Sequence, residues 1–257
     1  MSVDLTVEKG IATIVINRPE RLNALDADAY EALSQAWIRV RDDSQIRVAV
    51  ITGSGERSFC VGADLKSFVT QPADLSGFWL TQQGQLLNRG LEVWKPIIAA
   101  VNGYCLGGGT TLLLATDMRV AAEHATFGLS EVKRGILAGN GGTQRLLANL
   151  PYAVAMEMLL TGDTIDAPTA ERWGLVNRVV ALSGLMDAAM DLAGRVAANA
   201  PLAVQASKEL AIRSRDMDLA TGLRLEQSLN RLLQFSEDAV EGPKAFAERR
   251  PARFGGR

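Results

Sequence analysis

The chain has 257 residues and a mass of 27.6 kDa, room for one large domain, or one domain with a smaller attachment, on the usual scale of about 150 residues each. Its 47% apolar and 22% charged residues exclude disordered, collagen-like and low-complexity classes. Lys+Arg 27 against Asp+Glu 29 leave a net charge of -2 and no bulk attraction to nucleic acid or an acidic membrane surface.

Alternation at Val3, Leu5 and Val7, a turn at Lys9-Gly10, and a second run from Ile11 to Ile16 predict a hairpin. Asp26 is placed to cap a helix whose apolar stripe is Tyr30, Leu33, Trp37 and Val40. A strand is expected at Val48 to Thr52, then an irregular glycine-rich stretch from Gly53 to Asp64. Lys66 to Gly84 has no clean period and reads as a helical flap. Strand, glycines and helix then recur. Ile97 to Val101 is a buried strand, and Gly107-Gly108-Gly109 leads into a helix from Thr110 to Ala115. Short strands follow at Met118 to Ala122 and Thr126 to Leu129, with helices from Gly141-Gly142 to Leu150, Tyr152 to Leu160 and Ala167 to Trp173. A strand returns at Leu175 to Val180. Helices are expected at Met186 to Ala198, Leu202 to Arg213, Met217 to Phe235 and Glu237 to Arg249, the last interrupted by Gly242-Pro243. This order implies an α/β core over 1–195 and a helical region over 196–257.

Cys60, Cys105 and His124 supply neither a disulfide framework nor four zinc ligands, so the reading is metal-free, with His124 on the surface and both thiols packed beside loops. No stretch is apolar for the roughly 18 residues of a membrane span, and the N-terminus lacks the layout of a signal peptide, which points to a cytoplasmic protein. The phosphate loop and the Gly-x-Ser-x-Gly elbow are both missing, and Gly53-Ser54-Gly55 continues into Ser58 rather than into a dinucleotide fingerprint. What remains is a pair of loops, Phe59 to Leu65 and Gly103 to Gly109. Small residues and glycines there let a ligand approach backbone N–H groups, one of them at a helix start. Two such donors converging on one oxygen make an oxyanion hole.

Several ordered segments carry a resemblance to a known family. They are Asn17-Arg18-Pro19 with Asn23-Ala24-Leu25; Phe59 to Leu65; Lys95-Pro96 through Ala99 to Gly109; Phe127 to Glu131; Gly141 to Leu146; and Glu241-Gly242-Pro243 with Ala245-Phe246. In these the chain resembles the enoyl-CoA hydratase/isomerase, or crotonase, superfamily along nearly its whole length. The resemblance implies a spiral of repeated ββα units, and C-terminal helices that assemble trimers or hexamers. The substrate it implies is an acyl-CoA, with coenzyme A part of that substrate and no prosthetic group. It puts the thioester carbonyl between the N–H groups of Ala63 and Gly108, and the CoA along Arg21, Asn23, Ala24 and Leu25 and along Ala63, Asp64, Leu65 and Lys66. Arg21 and Lys66 then meet phosphates or stand as solvated charges.

Hydratases of this family carry two glutamates, at positions that correspond here to Thr111 and Glu131. Only the second carboxylate is present. Glu131 is therefore the expected general acid/base, and Thr111, whose hydroxyl cannot act as a base at neutral pH, could still hold a water. Phe68, Phe78 and Trp79 fall where relatives line the acyl pocket, though packing within a flap would look the same. Asn140 stands where many members have alanine, as a hydrogen-bonding partner for Glu131 or substrate, or simply as a turn residue. The expected activity is addition or removal of water at an enoyl-CoA. An isomerase shifting the Δ3 double bond to Δ2 and a CoA-ester-binding assembly protein are the alternatives. Arg249, Arg250, Arg253 and Arg257 raise RNA binding, but such a cluster at a helical terminus reads first as a solvated or subunit-contact surface.

Overall fold

The N-terminal alternation forms the expected hairpin. Strands β1 (Val3–Glu8) and β2 (Ile11–Ile16) pair antiparallel from Val3↔Ile16 to Glu8↔Ile11. Strands β3 (Val48–Gly53), β5 (Ile97–Val101), β7 (Met118–Ala122) and β10 (Arg178–Val180) then add in parallel, in the order β1-β2-β3-β5-β7-β10. A second sheet of three-residue strands has the order β4-β6-β8-β9, from β4 (Ser58–Cys60), β6 (Tyr104–Leu106), β8 (Thr126–Gly128) and β9 (Thr164–Asp166). Three passes, β3 to β4, β5 to β6 and β7 to β8, each lay one strand in each sheet before turning away, the repeat of the ββα spiral. The computed structural model describes residues 1–64 and 86–257. The expected flap, 66–84, lies outside the described residues, and so do Leu65, Lys66, Phe68, Phe78 and Trp79.

Burial on both faces explains the uninterrupted apolar runs of β3 and β5. Ala49, Ile51, Ala99 and Val101 face the main core with Phe59 and Phe127 of the second sheet, and with Leu33, Trp37 and Val40 of helix α1 (Ala27–Asp42). The alternate residues Val48, Val50, Ile98 and Ala100 face a smaller core. Asp26 caps α1 as expected, accepting the Ala29 N–H at 2.9 Å.

Helices α2 (Gly108–Leu113), α3 (Gly142–Asn149), α4 (Tyr152–Thr161) and α5 (Ala167–Arg172) lie within the spiral. Helix α6 (Leu185–Ala197) covers the smaller core with Leu185, Ala189, Leu192 and Ala193. Helices α7 (Pro201–Arg213), α8 (Leu219–Leu233) and α9 (Glu237–Ala247) complete the chain. Contrary to the expected interruption, α9 runs through Gly242-Pro243. The returning tail braces this helix: Asp238 accepts Gly255 N–H at 2.7 Å and Gly256 N–H at 2.9 Å, and Glu241 meets Arg250 at 2.6 Å. That bracing offsets the intrahelical bond that Pro243 cannot donate.

Candidate active site

The site forms where the second sheet turns into helix. Strands β4 and β6 are parallel neighbours, so the loops that leave them run side by side. Leaving β4, Gly62 has φ +90°; leaving β6, Gly107 has φ +53°, and α2 starts at Gly108. A side chain on Gly62 would put its first carbon 2.6 Å from Gly108 N, and one on Gly108 would put it 3.6 Å from Ala63 N. The two sequence-predicted N–H donors are thus brought together, and neither N–H bonds to another group among the described residues. Gly108 N–H also lies in the first turn of α2, where helix N–H groups lack intrahelical acceptors.

Strand β8 lies beside β6 and brings in the carboxylate. Gly107 N–H donates to Gly128 O at 2.9 Å, and three residues beyond Gly128 the chain reaches Glu131 at the start of a short 3-10 turn, Glu131–Arg134. A Cβ on Gly107 would sit 3.4 Å from Glu131 Oε1, so the carboxylate rests against the glycine next to Gly108 N–H. Burial pushes the Glu131 carboxyl above its ordinary value, outweighing its own backbone N–H and Arg134. Its Oε2 is buried and has no hydrogen-bond partner among the described residues, which leaves that oxygen open to a ligand.

Thr111 lies in α2, buried, with its hydroxyl donating to Gly107 O at 3.3 Å. It abuts Gly142, on which a Cβ would lie 2.8 Å from Thr111 Oγ1. Gly107 is therefore flanked by the Thr111 hydroxyl on its carbonyl and by the Glu131 carboxylate at its Cα.

The other predicted contacts separate into two groups. Leu25 and Ala63 form a parallel bridge, with Leu25 N–H donating to Gly62 O at 2.8 Å and Asp64 N–H donating to Leu25 O at 2.9 Å. The two stretches assigned to CoA are therefore adjacent, with Ala24 and Leu25 buried and the Arg21 side chain exposed. Asn23 departs from the expectation of a ligand contact. It is fully buried, with Nδ2 donating to Ser58 O at 2.7 Å and Ser54 O at 3.0 Å and Oδ1 accepting Arg18 N–H at 3.0 Å, so its carboxamide is committed to holding the loops. Asn140 is a turn residue at φ +53°. Its Oδ1 accepts from Arg89 Nε at 3.0 Å, and no hydrogen bond links it to Glu131.

Sequence reasoning missed Arg18, which donates to Ala24 O and meets Asp26 at 2.6 Å and Asp64 at 3.5 Å. Its segment Asn17-Arg18-Pro19 is legible in the sequence but its role is not, because its partners converge only in the fold. His124 is exposed, with its Nε2 donating to Glu56 O at 2.9 Å. Cys60 is buried and its thiol pushed up to about 12 by burial, which excludes it as a nucleophile at neutral pH. Among the described residues no group of three or more His, Cys, Asp or Glu side chains could hold a metal ion, and no helix is long and apolar enough to cross a membrane. The C-terminal arginines are partly neutralised, Arg250 by Glu241 and Glu248 and Arg257 by Glu237.

Comparison with known proteins agrees with this geometry. The family model described as "Enoyl-CoA hydratase/isomerase" matches residues 6–257. The chain is 46% identical over 256 residues to (E)-benzylidenesuccinyl-CoA hydratase of Thauera aromatica, covering 100% of both chains. It is 42% identical over 261 residues to carnitinyl-CoA dehydratase of Proteus mirabilis, covering 100% of this chain and 99% of the relative. Among solved structures, enoyl-CoA hydratase from Bacillus anthracis superposes with a TM-score of 0.94 at 33% identity over 100% of both chains. One from Mycobacterium marinum gives 0.91 at 41% identity, covering 100% of this chain and 99% of that one.

Proposed function

We propose a water-addition mechanism running on a single carboxylate for this chain, which belongs to the enoyl-CoA hydratase/isomerase family. Its activity is of the enoyl-CoA hydratase class, a lyase acting on CoA thioesters. The observation that carries the mechanism is Glu131 Oε2, buried and without a partner among the described residues, on a carboxyl whose pKa is raised.

The thioester oxygen accepts the N–H groups of Ala63 and Gly108. As water attacks the β carbon, ionised Glu131 takes one of its protons, and the electron pair of the carbon–carbon double bond moves through the α carbon onto the thioester oxygen. The negative charge of that enolate develops against two fixed N–H donors, which contribute most where charge appears in the transition state. Glu131, now a carboxylic acid, returns the proton to the α carbon, so hydroxyl and hydrogen both arrive from its face. Dehydration is the reverse. Thr111 orients the water and takes no proton.

In the same reading CoA lies along Arg21, Ala24 and Leu25 and along Ala63 to Lys66, Phe68, Phe78, Trp79 and Asn140 border the acyl end, and the protein works in the cytoplasm without a prosthetic group. Residues 196–257 form the oligomerisation region of a trimer or hexamer. Supporting this, Leu219, Leu232, Phe235, Val240 and Phe246 expose large apolar side chains on or beside the last helices. One carboxylate would also suffice for double-bond migration. The deciding experiment incubates the protein with aliphatic and aromatic enoyl-CoA esters in heavy water and reads product masses. Gain of water is expected; double-bond movement or α-deuteration without that gain would replace the hydratase reading with the isomerase.

A further inference from the structure

Two arginines on the elements that pack around α2 have no counter-ion among the described residues. Arg89 and Arg145 are both half-buried, and neither has a carboxylate partner among the described residues. Half-buried cations are normally paired, because removing a charge from water is costly.

Arg89 is held from two sides. Its Nε donates to Asn140 Oδ1 at 3.0 Å, and its guanidinium lies over the Tyr30 ring, 5.5 Å from the centroid. Its two terminal nitrogens make no hydrogen bond among the described residues. Arg145 ties the neighbouring turns together, one terminal nitrogen donating to Asn140 O at 2.8 Å and Asn88 O at 3.2 Å. The turn Leu87–Arg89 packs against α2, whose first N–H is an oxyanion donor, and α3, which begins two residues after Asn140, packs on the same helix. Through Gly142, that second contact falls at Thr111. Gly108 N–H, the Thr111 hydroxyl and the turn that carries Arg89 are thus gathered around a single helix.

We infer that the site takes an enoyl-CoA whose acyl chain itself carries a carboxylate, and that Arg89 is the specificity-determining residue receiving it; this rests on the reading of the preceding subsection. A guanidinium fixed at Nε and by its face, with its terminal nitrogens unengaged, presents the fork that binds a carboxylate bidentately. Because Asn140 and Tyr30 already restrict the side chain, little rotamer freedom is lost on binding. Asn140, an unusual residue for its position by the family resemblance, thereby gains a role as the positioning partner of Arg89.

The test is titration calorimetry of the full-length protein with two saturated esters that cannot react, glutaryl-CoA and its ω-amide, which differ only in charge at the chain end. Wild type is expected to bind the acid about tenfold or more tightly than the amide, the scale of one charge-assisted pair. R89Q brings that ratio to about one, while R89K, which keeps the cation, retains a preference for the acid. Equal affinities in wild type, or a preference that survives R89Q, would overturn the inference. Failure of the hydratase reading is distinguishable, since it would show as no water gain with any enoyl ester while the binding ratio still decided the role of Arg89.

Discussion

Glu131→Gln keeps the shape of the side chain and removes the proton carrier. In the mechanism above one carboxylate makes both transfers, and Thr111 offers no second base to share them. General acid/base groups contribute about 10²–10⁴ in rate, so kcat should fall by at least about 10². KM should change little, because the thioester is held by main-chain donors that the substitution leaves in place. The assay follows disappearance of the conjugated enoyl chromophore, with deuterium incorporation at the α carbon measured in parallel. Both should fail together, since the same carboxyl serves both; a variant within about fivefold of wild type would refute the assignment of general acid/base to Glu131. The pH profile supplies a second check. Burial raises this carboxyl, so the acid limb of hydration should lie above the ordinary carboxylate range and vanish in E131Q. Stability moves the other way. A carboxyl raised on folding makes the folded state bind its proton more tightly, so wild type loses stability as pH rises from the unfolded value through the folded one. E131Q should therefore melt higher than wild type at neutral pH, and the difference should close in acid, where both side chains are neutral.

Gly62→Ala would place a methyl carbon 2.6 Å from Gly108 N on a residue at φ +90°. Displacing an oxyanion donor should cost about 10²–10³ in kcat, read by steady-state kinetics. Thr111→Val keeps the shape but removes the hydroxyl; hydration should drop about tenfold, the worth of one hydrogen bond, with α-proton exchange largely kept. Asn23→Ala leaves the buried Ser58 O without its 2.7 Å partner and should cost about 2–4 kcal/mol, seen as a fall of about 5–10 °C in Tm. Arg250 beside Glu241 holds its carboxyl down to about 2. The tail's hold on α9 should thus be complete above the ordinary glutamate value and loosen as pH falls toward about 2, visible as faster amide exchange at Arg253.

Much of the fold was legible where the local signal is long or chemically specific. The hairpin alternates over both strands, Asp26 caps α1, and Ile97 to Val101 is too apolar to lie anywhere but inside. The second sheet was harder to read: β4 and β6 are three residues each, fall in stretches taken as irregular loops, and owe their pairing to neighbours far along the chain. Convergence of Ala63 with Gly108 depends on that pairing, so the residues alone offered two glycine loops that could each supply an N–H, and only the family resemblance picked out Ala63 and Gly108 as the pair. Asn23 misled for the opposite reason. Its sequence neighbours are those of a binding loop, while its carboxamide is spent on Ser54 and Ser58. Arg89 carried no signal because its partners, Tyr30 and Asn140, come from separate turns of the spiral.

The thioester grip proposed here belongs to the main chain, whereas the proton carrier is a side chain supplied from the end of the neighbouring strand. Only a change to proline deletes a backbone amide, whereas any missense change exchanges Glu131 or refits position 111. Drift can therefore silence or redirect the chemistry while enolate stabilisation persists. A descendant that had lost water addition would still hold an activated thioester, and a new carboxylate, hydroxyl or amine placed around that socket would begin with part of the rate enhancement already in hand.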